Sequence, residues 1–230
     1  MFFFEPRYRP VPPPLVGERV RLRPPLMIDY FSWADLRRVS RSFLEPWEPQ
    51  WGADALSRRT YRARLTRMVR EWNGDQGYAF HLVATGRGHV GAARGEVLGG
   101  INLNQVRRLS AQSASLGYWM GAPYAGQGLM REALNLLLPF AFASHEEGEG
   151  GSPAQVSPGW GLGLHRIDAA CIPENDRSRQ LLARMGFHEI GLAPAYLKIN
   201  GQWRDHVCHQ MLAEDFVANA AMSRADFVAG

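Results

Sequence analysis

The sequence predicts an α+β chain folded as a three-layer α/β/α sandwich. Three observations carry that prediction. Strand-like and helix-like patterns are interleaved along the chain rather than segregated. In the middle, a β-prone apolar run ending at Met120 passes through a glycine turn into an apolar-periodic helix and then another strand, one βαβ unit. Near the end, Asn200-Gly201 separates two strand-like runs, a strong short-range hairpin signal.

Residues 1–16 are rich in proline and aromatics and read as an extended lead-in. Arg19-Val-Arg-Leu-Arg23 alternates charged and apolar residues and reads as the first strand. Helical patterns follow at about 28–42 and 55–73, then strand patterns at 78–85, 96–104 and 113–120. Gly86-Arg-Gly-His89 marks a turn. The helix after Gly128 places Met130, Ala133, Leu134, Leu137 and Leu138 on one face and runs to about Ala143. Residues 144–163 hold Gly, Pro, Ser and the acidic run Glu146-Glu147-Gly-Glu149, a loop long enough to read as an insertion. His165–Ile172 is the next strand, and a helix over 175–186 ends at Gly186, a suitable residue just past a helix terminus. Phe187–Asn200 and Trp203–Leu212 form the hairpin, and 214–230 is expected to be a small tail helix. One domain is therefore expected over 17–213.

With 230 residues and a 46% apolar share, the chain can build an ordinary core. No run approaches ~20 uninterrupted apolar residues, so no membrane-spanning helix is expected. Met1-Phe-Phe-Phe4 is too short for a signal-peptide core, and a cytoplasmic location follows as the expectation. Cys171 and Cys208 lie in apolar strand-like runs and read as buried free thiols. No Cys/His spacing suggests zinc, so no metal is expected. Cys208-His209 is a poor nucleophile–base pair, because adjacent strand residues point to opposite faces. The net charge of +4 is carried almost wholly by arginine, with six arginines between Arg58 and Arg70. These read first as the solvated face of an amphipathic helix, and alternatively as a docking surface for RNA or an acidic partner.

The most informative stretch runs from Gly117 to Leu134. Glycines at a strand-to-helix turn let backbone approach a ligand closely. The unpaired N–H groups and dipole of the helix start favour an anion there, most often phosphate. A nucleoside-triphosphate loop needs Lys-Ser/Thr directly after the last glycine, where this chain has Leu129-Met130. A dinucleotide fingerprint needs glycine where Arg131 stands. What remains is a pyrophosphate cradle without a catalytic lysine or a magnesium ligand, suited to a cofactor whose phosphates serve only as a handle.

Pro123-Tyr-Ala-Gly126-Gln-Gly128 resembles motif A of the GNAT superfamily of acetyl-CoA-dependent N-acetyltransferases, without its usual leading Arg or Gln. That departure is common in the branch of ribosomal-protein-alanine N-acetyltransferases of the RimJ/RimL type. Phe43-Leu-Glu-Pro-Trp-Glu-Pro49 is similar to an early segment of that branch, and Asn175-Asp-Arg-Ser178 through Phe187 to motif B. Tyr196-Leu-Lys-Ile-Asn-Gly-Gln-Trp-Arg-Asp-His206 resembles its closing hairpin, nearest to the RimJ side. The resemblance covers roughly 17–213, with four motifs in the right order.

The resemblance implies a twisted mixed sheet whose central parallel strands splay apart around acetyl-CoA. It implies direct attack by an amine on the thioester. The backbone amides of Gly126, Gln127, Gly128, Leu129 and Met130 would cradle the pyrophosphate. The strand edge at Trp119-Met120 would hold the pantetheine, with the amide of Met120 or its neighbour as oxyanion donor. Asn175 can cap its helix and also reach the cofactor, and Ser178 could protonate the leaving thiolate. Glu48, stiffened by flanking prolines and next to Trp47, is the candidate for binding or deprotonating the amine. Tyr196, Asp205 and His206 are candidates for meeting the acceptor. The side chains of Tyr118 and Trp119 read as core.

The expected acceptor is the N-terminal α-amine of a protein, a ribosomal protein starting with Ala or Ser. Two alternatives stay open: acetylation of a small amine, and a non-catalytic CoA-binding or ribosome-associated module. The expected assembly is a monomer or homodimer.

Overall fold

An eight-stranded sheet organises the chain. Its strands are β1 (Leu15–Val16), β2 (Val20–Arg23), β3 (Gly77–Ala84), β4 (Val97–Arg107), β5 (Ser113–Met120), β6 (Arg166–Cys171), β7 (His188–Ile199) and β8 (Gln202–Leu212). They lie side by side in the order β1-β2-β3-β4-β5-β6-β8-β7. The helices are α1 (Tyr30–Val39), α2 (Arg41–Leu44), α3 (Arg58–Asn73), α4 (Leu129–Phe142) and α5 (Asp176–Arg184). The computed structural model describes residues 6–10, 14–88, 90–143 and 160–217. The α+β class expected from the interleaved pattern is the one found.

Strand alternation sends side chains to two faces. In β3, Phe80, Leu82 and Ala84 join a cluster with Leu98, Ile101 and Leu103 of β4 and with α4. Val83, one residue out of phase, joins Trp33, Ala34 and Leu36 of α1 and Tyr61 and Leu65 of α3 on the other face. Leu129, Met130, Ala133, Leu134, Leu137 and Leu138 of α4 are all buried, as their helical spacing predicts. Shortening one of them, Leu134 for example, to alanine would cost about 2–5 kcal/mol.

Local chemistry explains the element ends. Ser57 Oγ accepts from Thr60 N–H at 3.1 Å and caps α3. Asn175 Oδ1 accepts from Ser178 N–H at 3.1 Å and caps α5. Gly186, at φ +85°, takes the left-handed position past the end of α5. The helix expected over 28–42 is broken: a 3-10 turn at Met27–Asp29 precedes α1, and Ser40 separates α1 from α2. Ser40 is fully buried, and its Oγ accepts from Ala122 N–H at 2.9 Å, a tertiary bond no local pattern reveals.

The central strands diverge. β5 and β6 run parallel and pair over four positions only, from Ser113 with Arg166 to Leu116 with Ala169. Beyond that, Ala170 and Cys171 pair with Cys208 and Val207 of β8, while among the described residues Gly117 to Met120 pair with β4 alone. A wedge therefore opens in the sheet at the C-terminal end of β5. It opens toward the turn that leads into α4.

Of the expected insertion, 144–159 lies outside the described residues. Residues 160–163 return along the end of α4, with Leu162 N–H donating to Phe140 O at 2.9 Å. Of the expected tail, 213–217 is helical, with Phe216 tilted against Phe142 at 5.4 Å, and 218–230 lies outside the described residues. Among the described lead-in residues Tyr8 is buried, and Leu15–Val16 pairs with β2. Cys171 is buried as expected, whereas Cys208 is half-buried. Among the described residues no helix is long and apolar enough to cross a membrane.

Candidate active site

The glycine turn sits at the mouth of the wedge. Gly126 and Gly128 have φ of +77° and +75°, the left-handed region that glycine adopts without strain. A Cβ at Gly126 would meet nothing within 4 Å, so the loop faces open space there. The first hydrogen bond of α4 joins Glu132 N–H to Gly128 O at 3.1 Å. The amides before it have no helix carbonyl to reach. Gln127 Nε2 donates to Pro123 O at 3.0 Å, so its side chain ties the loop to itself. Leu129 and Met130 bury their side chains and can offer only backbone.

The direction of each amide on β5 follows from two contacts. Gly121 N–H donates to Leu98 O on the β4 side at 2.9 Å. A Cβ on Gly99 of β4 would lie 2.4 Å from Trp119 O, so Trp119 also faces β4. Along a strand the backbone polar groups alternate sides. Tyr118 and Met120 therefore present their N–H and C=O to the wedge. Trp119 faces the opposite way, and its indole packs where a Cβ on Gly100 would come within 2.4 Å. The two glycines of β4 make that close approach possible.

Tyr118 and Ser178 bridge the wedge. Their hydroxyl oxygens are 2.6 Å apart, joining β5 to the first turn of α5. Burial pushes the Tyr118 hydroxyl up to about 12, against an opposing hydrogen bond from Ser178. Cys171 lies beside them, and burial raises its thiol as well. Asn175 spends its oxygen on the cap, which leaves its amide nitrogen for another partner.

Glu48 lies on the α1/α3 side of the sheet. Its carboxylate takes both ends of the Arg37 guanidinium, at 2.9 and 2.5 Å, and the Trp51 indole N–H at 2.9 Å. Arg37 is buried and lies between rings, 4.3 Å from the Trp51 centroid and 4.9 Å from that of Trp119. Glu48 O accepts from Asn200 N–H at 2.9 Å, so the 45–49 segment reaches the hairpin turn. Arg177 of α5 sits 5.5 Å over the Phe43 ring, which ties α2 to the start of α5. Trp47 is partly exposed next to this cluster.

The remaining hairpin residues form a separate group. Tyr196 is half-exposed, with its ring edge-on to His206 at 5.6 Å. His206 is buried, and its Nδ1 lies 3.0 Å from Arg204 O. Asp205 Oδ1 accepts from Ala195 N–H at 2.8 Å, across an irregular stretch of the β7–β8 pairing. Among the described residues no group of three or more His, Cys, Asp or Glu could hold a metal ion.

A family model for the acetyltransferase (GNAT) domain matches residues 19–188. The chain belongs to this GNAT acetyltransferase family. It is similar to the [ribosomal protein uS5]-alanine N-acetyltransferase of Escherichia coli, 34% identical over 88% of this chain and 92% of the relative. Two solved structures share the fold. The ribosomal-protein-S5-alanine acetyltransferase of Vibrio fischeri has a TM-score of 0.72 and 26% identity over 89% of this chain and 98% of its own. The Mycobacterium smegmatis RimJ, solved with CoA-disulfide, has a TM-score of 0.71 and 28% identity over 90% and 96%.

As a GNAT acetyltransferase the protein is an enzyme whose donor is acetyl-CoA. The residues at the wedge fit that donor. They provide an open glycine loop at a helix start, an unpaired strand edge and a protonated hydroxyl. No local sequence signal marks Arg37 or Trp51, and Tyr118 reads from the sequence only as a core side chain. Tyr118 alternates with core residues, and only the parting of β6 from β5 turns its face into a site wall. The burial of Arg37 depends on two tryptophans distant in sequence.

Proposed function

We propose that this GNAT enzyme acetylates the N-terminal α-amine of a protein, a ribosomal protein beginning with Ala or Ser, by direct attack in a ternary complex. The observation that carries the reading is the free backbone edge of Tyr118 and Met120 next to the open Gly126–Gly128 loop. Relatedness over most of the chain to an enzyme named for alanine acetylation of uS5 supports the choice of acceptor.

Acetyl-CoA supplies an activated acetyl thioester. The amides of Gly126 to Met130 hold its pyrophosphate through the partial positive charge of the α4 start. The edge of β5 pairs with the pantetheine amides as it would with an added strand. The Met120 N–H stabilises negative charge developing on the thioester oxygen. Tyr118 stays protonated at neutral pH, receives a hydrogen bond from Ser178, and gives its proton to the leaving sulfur. Asn175 orders this turn and offers its amide nitrogen to the cofactor arm.

Glu48 already accepts three hydrogen bonds out of about four lone-pair positions and Arg37 neutralises its charge, so it offers the acceptor amine one remaining position as a fixed hydrogen-bond acceptor. A dedicated base is unnecessary: an α-amine with a pKa near ~8 is partly neutral at pH 7 before attack, and the proton the nitrogen sheds after attack passes to solvent, from which Tyr118 regains the one it gave to sulfur. Trp47 and the exposed hairpin residues Tyr196 and Asp205 flank the acceptor chain, whereas His206, expected to meet the acceptor, is buried and can only support the Tyr196 ring. The exposed Arg58, Arg59, Arg62, Arg67 and Arg70 of α3 form a solvated face that adds a weak, salt-dependent attraction to the ribosome. The enzyme works in the cytoplasm, where ribosomal proteins are made.

The test is acetyl-CoA turnover, read as thiol release, against peptides beginning Ala or Ser, α-blocked peptides carrying lysine, and small amines. Turnover that requires a free peptide N-terminus is expected. Turnover with small amines alone would replace this acceptor with a metabolite or antibiotic amine.

A further inference from the structure

We propose that Arg19 is a positioning residue for the cofactor loop: with Glu132, it sets the direction in which the Gly128 amide points. The inference rests on the reading that the amides of Gly126 to Met130 hold the CoA pyrophosphate, and it adds the device that aims them.

Arg19 precedes β2 and lies 108 residues before Gln127, yet its Nη1 donates to Gln127 O at 3.0 Å. The peptide joining Gln127 to Gly128 is planar and trans, so its C=O and N–H point in opposite directions. Holding the carbonyl toward Arg19 turns the Gly128 N–H away from Arg19. The loop needs such a hold. Gly126 and Gly128 both occupy the left-handed region, and glycine populates positive and negative φ about equally. Without the arginine that peptide can flip, and the loop would offer an oxygen where it now offers a donor. An anion site that presents a carbonyl loses a hydrogen bond and gains a repulsion.

Arg19 is itself held in register. Glu132, in the first turns of α4, accepts Arg19 N–H at 2.8 Å and Val20 N–H at 3.2 Å through Oε1, and Arg19 Nε at 2.9 Å through Oε2. Gly17 leaves the room, since a Cβ there would lie 2.6 Å from Glu132 Oε1. The start of β2, the start of α4 and the glycine loop thus form one hydrogen-bonded unit. Arg19 and Glu132 cancel each other's charge, so their effect on an anion is geometric rather than an added attraction. Lysine cannot reproduce it, because an ammonium does not reach two acceptors in the fixed fork that guanidinium provides.

The test measures CoA affinity by calorimetry without acceptor, together with steady-state kinetics and the melting temperature. Wild type, Arg19→Met, Arg19→Lys, Gly126→Glu and Arg21→Met are compared. Both Arg19 variants are expected to bind CoA about tenfold more weakly, the effect of losing one charge-assisted hydrogen bond. The KM for acetyl-CoA should rise in step, with kcat at saturating donor and the KM for the acceptor unchanged. Arg21→Met should bind CoA like wild type. If Arg19→Met does not fold, Arg19→Lys, which retains the charge and the bond to Glu132, carries the test. CoA affinity unchanged in a folded Arg19 variant, alongside loss of binding in Gly126→Glu, would overturn the positioning role and leave the cradle intact. Unchanged affinity in Gly126→Glu would remove the cradle reading and this proposal with it.

Discussion

Tyr118 and Ser178 stand 60 residues apart in sequence and 2.6 Å apart in space, and the proton transfer proposed for Tyr118 rests on that contact. Tyr118→Phe is expected to lower kcat about a hundredfold, the usual scale for a lost general acid, with little change in the KM for acetyl-CoA. Because burial pushes the tyrosine up to about 12, the wild-type rate should rise through the α-amine pKa near ~8 and show no loss by about pH 10. A fall in rate between pH 8 and 10 would assign the proton to another group. Glu48→Gln separates binding from base catalysis. With Glu48 as a hydrogen-bond acceptor for the amine, held in place by Arg37 and Trp51, the KM for the peptide should rise about tenfold and kcat should hold. A collapse of kcat together with a changed acid limb would make Glu48 the base. Ser178 and Glu48 were readable as candidates from their motifs. The partners that define their chemistry, Tyr118 and Arg37, were not, because a tyrosine in an alternating strand and an arginine on an amphipathic helix have bland local readings.

At the scale of elements the turn into α4 is the decisive unit. Gly126→Glu would set a carboxylate into the open side of the loop and strain a residue at φ +77°. CoA binding measured by calorimetry should fall at least about a hundredfold, since an uncompensated negative charge would face a pyrophosphate. The strand and helix patterns were legible to within a residue or two for β3, β5, β6, α4 and the β7–β8 hairpin, whose periodicity and glycine punctuation are local properties. The break at Ser40 and the two-residue β1 were not. Each depends on a long-range partner: the Ala122 amide for Ser40, and β2 for Leu15 and Val16.

For the whole molecule, a buried ionic cluster ties the chain before α1 to the sheet and sets an acid limit on stability. Arg23 donates to both oxygens of Asp29, at 2.8 and 2.5 Å, and His81 Nδ1 lies 3.1 Å from Asp29 Oδ2. Burial by itself would raise the Asp29 carboxyl, but the hydrogen bonds from Arg23 and His81 outweigh it and hold the group well below the usual carboxylate range. Burial pushes the His81 ring below its ordinary 6.5, with Asp29 opposing. The neutral ring therefore carries its proton on Nδ1, facing the carboxylate. Both folded values are depressed, so the unfolded chain binds more protons in acid and stability rises with pH. The His81 contribution is complete above about pH 6.5 and is lost as pH falls through the lower folded value; the Asp29 contribution goes only below about pH 4. The urea midpoint of the wild type should fall between pH 7 and 5, and that of His81→Gln should fall less over the same interval. Equal slopes for the two proteins would show that His81 does not carry the loss.

The sequence by itself determined the α+β class, the glycine turn that opens α4, the hairpin at Asn200-Gly201 and the membership that the motifs signal together. These rest on periodicity, φ preference and spacing, which act within a few residues. Only the tertiary structure decided that β5 and β6 part after Leu116, that Met120 rather than Trp119 turns its amide to the gap, and that Tyr118 meets Ser178, Arg37 meets Glu48 and Arg19 meets the glycine loop. Those facts depend on which strand end goes unpaired and on which distant side chain completes a hydrogen bond. Both are settled when the sheet closes, not by the neighbours of a residue along the chain.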